Sequence, residues 1–249
     1  MSLEDIMAQV LDLPEVAAWP EMRQLFEQTV PRYNVKWELP LMACQAVGGE
    51  ESMANVGAAA VACMQLSLML VDDMLDDDPR GAYIQLGSAV ASNLAFAFQA
   101  AAFRLIEKAP VDADRRAAVY ASLAQMALAC AFGQDLDAQN LSGEESYWRV
   151  VQAKSSPFFG TSLYIGALLG RASFEIAELL CGIGFLIGEI IQVYDDLMDS
   201  LQSPASPDWK QRRNNLAILY ALTVDHPERA QFEALRDRVD EVTLGAIGD

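Results

Sequence analysis

The chain has a single histidine, His226, in the polar stretch Asp225-His226-Pro227-Glu228, where Asp before Pro reads as a turn or a helix start. One histidine leaves almost no room for a histidine-based triad or a zinc site. The four cysteines, Cys44, Cys63, Cys130 and Cys181, are far apart among apolar neighbours and show no CxxC spacing. They read as reduced core residues of a cytoplasmic protein. Basic residues are few: 17 Lys and Arg stand against 35 Asp and Glu, a net charge of -18. That balance argues against nucleic acid as a partner and makes cations the natural guests. Residues 1–12 carry acidic side chains and no Arg- or Lys-rich lead, so no signal or transit peptide is expected. Threonine is scarce, and no stretch alternates apolar and polar residues long enough to suggest a sheet.

What is present is apolar and helix-forming. The 249 residues are 53% hydrophobic and only 21% charged, and no composition break divides them, so one compact soluble domain over residues 1–249 is expected. Residues 52–71, 81–103 and 117–134 lack charge over lengths that could span a bilayer. Polar residues interrupt each run: Asn55 and Gln65; Gln85, Ser88, Ser92, Asn93 and Gln99; Ser122 and Gln125. Their flanks are largely acidic, so they read as buried helices and not as transmembrane segments. The alanine- and leucine-rich pattern predicts an all-α fold, with helices over 3–12, 20–30, 38–47, 52–76, 83–108, 113–139, 144–154, 157–169, 172–200, 208–224 and 228–244. Breaks fall at Pro14, Gly48-Gly49, Pro110, Ser142-Gly143 and Gly170, and in the stretches 31–34, 79–81 and 203–207. Helices that are apolar nearly all round must be surrounded by others, which predicts a layered bundle with a buried central element and an apolar pocket.

Two of these helices end in aspartates. Asp72-Asp73-Met74-Leu75-Asp76-Asp77-Asp78 closes one, and Asp195-Asp196-Leu197-Met198-Asp199 closes another. Asp-Asp-x-x-Asp on a helix puts its first and last carboxylates one turn apart on one face, where like charges repel and call for a cation. No basic residue follows the first cluster before Arg80, or the second before Lys210. Carboxylates without nearby His or Cys suit hard ions, above all Mg2+, whose octahedron is usually completed by water and substrate phosphate oxygens.

A diphosphate clamped between two carboxylate rows, beside an apolar pocket, points to a substrate with a hydrocarbon tail.

These residues resemble the trans-isoprenyl diphosphate synthase family, the all-helical polyprenyl synthetases that share a fold with class I terpene cyclases. Asp72-Asp73-Met74-Leu75-Asp76 is similar to the first aspartate-rich motif, and Gln192-Val193-Tyr194-Asp195-Asp196-Leu197-Met198-Asp199 to the second with its preceding glutamine. Gly133-Gln134-Asp135-Leu136-Asp137 fits GQxxD, Lys154-Ser155 fits the pair that touches the allylic diphosphate, and residues 208–222 resemble the segment after the second motif. The resemblance runs from about residue 30 to 225. It implies that Asp72, Asp73, Asp76, Asp195, Asp196 and Asp199 bind Mg2+, and that these aspartates with Lys154 carry catalysis. It further implies that Gln134, Asp137, Lys154, Ser155, Gln192, Arg80, and Lys210 or Arg213 hold the allylic diphosphate. The implied reaction ionises the carbon–oxygen bond to an allylic cation, captured by isopentenyl diphosphate or another acceptor. A homodimer is implied as well.

The isopentenyl diphosphate side departs from the family pattern. Its GGKRxRP segment aligns with Asn34-Val35-Lys36-Trp37-Glu38-Leu39-Pro40, which keeps Lys36 and Pro40 but has Trp37 and Leu39 for the two arginines. Gln65 replaces a histidine, and the paired arginines after the first motif reduce to Pro79-Arg80-Gly81. Losing two or three charge-assisted contacts at about 1.5 to 3 kcal/mol each weakens diphosphate binding by orders of magnitude. Trp37 could cover an emptied phosphate site or bind a different acceptor. By the same resemblance Ser67 and Leu68, one turn before the first motif, floor the prenyl pocket, with ordinary core packing as the equal alternative. Phe96, Phe98, Phe103, Phe158 and Phe159 read as core, with cation stabilisation as the functional alternative. Gly184 and Gly188 form a GxxxG that permits close helix packing, and Arg213, more than Arg212, is expected to close over phosphate. Two other readings stay open: a class I terpene cyclase, against which its Asn-x-x-x-Ser-x-x-x-Glu pattern is absent, and a non-catalytic subunit of a heteromeric synthase.

Overall fold

A computed structural model describes residues 3–32, 37–201, 209 and 213–236. All regular structure among them is helical, as the composition predicts. The helices are α1 (Leu3–Leu11), α2 (Pro14–Ala17), α3 (Pro20–Thr29), α4 (Leu39–Ala46), α5 (Asn55–Leu75), α6 (Tyr83–Leu86), α7 (Ser88–Ile106), α8 (Ala113–Ala138), α9 (Glu144–Lys154), α10 (Ser156–Leu169), α11 (Phe174–Ser200), α12 (Leu216–Thr223) and α13 (Arg229–Arg236).

Two helices form the centre. Residues 56–67 of α5 are all buried, and so is all of α10 except Tyr164. Gly57 and the alanines 58–60 and 62 keep the first half of α5 thin, so that α1, α4, α7, α8 and α10 all pack around it. Phe98 of α7 and Phe26 of α3 stack with ring centroids 6.2 Å apart in the surrounding core, where each large apolar side chain contributes roughly 1.5 to 3 kcal/mol. Asp112 and Ser173 cap α8 and α11 by accepting from the backbone N–H groups of Arg115 and Ile176. By length and composition, four helical stretches could cross a membrane: Glu51–Leu75, Ser88–Ile106, Ala113–Ala138 and Phe174–Ser200. The first is wrapped by the bundle, whereas α11 shows most of one face to solvent.

Several expectations are corrected. The stretch 83–108 is two helices, broken at Gly87, which takes φ +81°. Pro14 opens a short helix at its first turn, where a missing N–H costs nothing. The stretch 52–76 starts with a 3-10 turn, Glu51–Ala54. The stretch 208–224 is not one helix, because Asn215 is extended and caps α12, its side-chain oxygen accepting from Ala217 and Ile218 N–H. Phe96 is a surface residue, 71% exposed, while Phe98, Phe158 and Phe159 are core. Cys181 is only half-buried, and all four cysteines are free thiols. Trp37 is 1% exposed and donates from Nε1 to the Val30 carbonyl at 3.2 Å, so it is part of the core. Lys36, Lys210 and Arg212 lie outside the described residues.

Candidate active site

α5 and α11 carry their aspartates at their C-terminal ends, the negative pole of each helix, with no basic residue in either last turn. Carboxylates there raise the local cost that a cation must offset. Both ends open on one cleft of about 350 Å³, lined by Asp72 and Asp76 from one side and by Asp195, Asp196 and Asp199 from the other. Among the described residues seven carboxylates line it, the five above with Asp78 and Asp137, alongside three basic groups, Arg80, Lys154 and Arg213.

Close helix approach assembles the cleft. A Cβ on Gly133 would lie 2.3 Å from the backbone N of Lys154, so only glycine lets α8 pass the end of α9 at this distance. A Cβ on Gly184 or Gly188 would meet the Phe159 carbonyl oxygen at 2.5 Å or Ser156 Cα at 2.7 Å. The GxxxG therefore packs α11 onto α10, as expected.

The basic groups bridge elements far apart in the chain. Lys154 Nζ lies 2.9 Å from Asp72 Oδ1 and 2.6 Å from Asp137 Oδ2. Burial would pull its ammonium down, but the two carboxylates outweigh that and hold it above its ordinary value. Arg213 reaches Asp76 Oδ1 at 2.7 Å and Asp137 Oδ2 at 3.4 Å. Gln134 Nε2 donates to Asp72 Oδ1 at 2.7 Å. On the α11 side, Ser155 Oγ donates to Gln192 Oε1 at 2.7 Å, and Gln192 Nε2 to Asp196 Oδ1 at 2.8 Å. The second Asp196 oxygen accepts from Leu216 N–H at 2.8 Å, tying the start of α12 to the cleft. Burial also raises the Asp76 carboxyl, with Lys154 opposing it.

Asp73 departs from its expected place. It lines a neighbouring hollow of about 430 Å³ with Arg80, Gln85 and the apolar Leu66, Met69 and Leu70. Burial first, then the charges of Asp78 and Asp72, push its carboxyl up to about 6. Arg80 lines both spaces, and its guanidinium is bidentate on Asp78, whose carboxyl it holds below the usual range. Gln65 is buried two turns above Asp72 and lines neither space; its Oε1 has no hydrogen-bond partner among the described residues. Ser67 is buried and Leu68 half-buried, and neither lines these two spaces. Sequence reasoning missed Tyr147, Asn214 and Asn215 as cleft residues. For the two asparagines a signal existed, since paired Asn before an apolar run marks a helix start.

The donor set is one of oxygen ligands, which fits a hard divalent cation. Among the described residues no three carboxylate, histidine or cysteine side chains are grouped closely enough to hold an ion, so an ion here would draw further oxygens from water or a bound ligand.

The helical architecture is that of the prenyl synthase-type bundle. It aligns with the geranylgeranyl pyrophosphate synthetase of Pyrococcus horikoshii at a TM-score of 0.81 and 19% identity, over 98% of this chain and 82% of that one. A polyprenyl synthase from Caulobacter crescentus, solved in complex with calcium and isoprenyl diphosphate, aligns at a TM-score of 0.78 and 20% identity, over 98% of this chain and 77% of that one. In sequence, a geranylgeranyl diphosphate synthase of Methanosarcina mazei is 30% identical over 168 residues, 64% of this chain and 52% of that protein. The chain thus spans about half the length of this relative. Residues 35–243 match the Polyprenyl synthetase family, and the chain belongs to it.

Proposed function

We propose that the chain is a Mg2+-dependent prenyltransferase that ionises an allylic prenyl diphosphate and passes the prenyl group to isopentenyl diphosphate or another acceptor. The observation that carries this reading is the pair of aspartate rows facing each other across one cleft. Asp72, Asp76, Asp195, Asp196 and Asp199 would hold the ions, with Asp73 reaching them only after a change of position. Bound there, Mg2+ supplies Lewis-acid stabilisation of the departing diphosphate.

The chain's own residues do the rest. Lys154 and Arg213, each poised between two carboxylates, are donors that phosphate oxygens can compete for. Ser155 and Gln192 hold each other in place beside Asp196, which keeps the second row in register. Gln134 orients Asp72 from behind. Arg80, held by Asp78, faces both the cleft and the hollow beside it.

An atypical isopentenyl diphosphate site is part of this proposal. Trp37 and Leu39, which stand where the family has arginines, are buried and offer no donor to a second diphosphate. A cytoplasmic, homodimeric enzyme is likewise proposed; the four free thiols support the compartment, and exposed Phe96, Leu128 and Phe132 on α7 and α8 support association. The test is diphosphate release with Mg2+ and geranyl, farnesyl or geranylgeranyl diphosphate, with and without isopentenyl diphosphate, followed by mass analysis. A product five carbons longer supports chain elongation. Release without isopentenyl diphosphate points to a cyclase or to another acceptor, and no release under any condition rejects the enzyme reading.

A further inference from the structure

The face of α11 turned away from the cleft carries a second pattern. Ile176, Leu179, Ile183, Leu186, Ile190 and Leu197 recur at steps of three and four residues, and half-buried Val193 fills the one remaining position. This is the 3.5-residue period of a coiled-coil seam and runs about 32 Å at 1.5 Å per residue. All six are exposed, from 43% at Ile176 to 67% at Ile190. The opposite face, with Ala177, Gly184 and Gly188, is the one packed into the bundle. Single exposed aliphatics need no account, but six in heptad register along one helix form a surface shaped for a second helix.

Charge decides between occupants. α11 has no basic residue, and beside the seam Glu175 and Glu189, the latter accepting from Gln152 Nε2 at 3.1 Å, stand two heptads apart on one margin. A second copy would set the same acidic margin against itself on a chain of net charge -18. A lipid surface is bound by helices that carry Lys and Arg, which this one lacks. We propose that the seam is the docking surface for an amphipathic helix of a partner polypeptide, with an apolar heptad row of its own flanked by Lys or Arg. The proposal is independent of the chemistry assigned to the cleft.

The test is fluorescence anisotropy of two labelled four-heptad peptides titrated with the full chain. Both carry Ile and Leu at the seam positions; one has Lys on the margins and the other Glu. The Lys peptide is expected to bind at least about tenfold more tightly than the Glu peptide, and to lose about tenfold or more in affinity between about 50 and about 500 mM salt. Ile183→Asp with Leu186→Asp, both at solvent-exposed positions, should abolish binding with the circular dichroism spectrum unchanged. The charge and salt dependence of the unaltered chain stands without that variant. Equal binding of the two peptides, or none, would overturn the proposal. So would self-association that the double variant abolishes, which assigns the seam to a second copy, or binding to phosphatidylcholine or phosphatidylserine vesicles that it abolishes, which assigns it to lipid.

Discussion

At the scale of single residues, the cleft is organised by cations that bridge carboxylates. Lys154 bridges Asp72 and Asp137, and removing it leaves Asp72 with the Gln134 amide and Asp137 with the more distant Arg213. Lys154→Met is predicted to destabilise the fold by about 1 to 3 kcal/mol and to lower diphosphate release by about 100-fold or more, read by thermal unfolding and turnover. Asp73 gives a pH signature of the opposite sign to most carboxylates. Its folded pKa of about 6 stands above the ordinary 3.8, so the folded state binds the proton more tightly than the unfolded chain does. The metal-free protein should therefore lose stability as pH rises from about 4 to about 6, and Asp73→Asn should remove that loss in unfolding measured across the range. The aspartates were legible in the sequence because repeated like charge on a helix needs a cation. The pairing of Arg213 with Asp76 was not, because contacts across 137 positions leave no periodic trace.

At the scale of elements, long apolar helices were legible because Gly and Pro punctuate them cleanly. The failures have local causes. Gly87 sits inside an apolar run and breaks it only through its positive φ. Asn215 falls inside the expected helix 208–224, although paired Asn before an apolar run marks a start; its side chain caps α12 while its Nδ2 donates to the Asp196 carbonyl at 2.8 Å. Asn215→Ala should cost about 1 to 2 kcal/mol, seen as a lower Tm. Gly133→Val places branched carbons where even a Cβ meets Lys154 at 2.3 Å. It should destabilise by about 1 to 3 kcal/mol and cripple turnover together, since α8 and α9 can then no longer share the cleft.

At the scale of the whole molecule, two buried helices and their neighbours bring together two acidic helix ends that lie more than a hundred residues apart in the chain. The concentration of carboxylates at the cleft and the bridging cations follow from that convergence, and the proposed affinity for a metal-bound diphosphate rests on it. The measurement that tests this most directly is Mg2+-dependent diphosphate release from farnesyl diphosphate, compared between the unaltered chain and the Asp72→Ala and Asp195→Ala variants, with circular dichroism alongside. The account predicts release that requires Mg2+ and is lost in each variant while the helical signal stays nearly unchanged. Full turnover in both variants would contradict it.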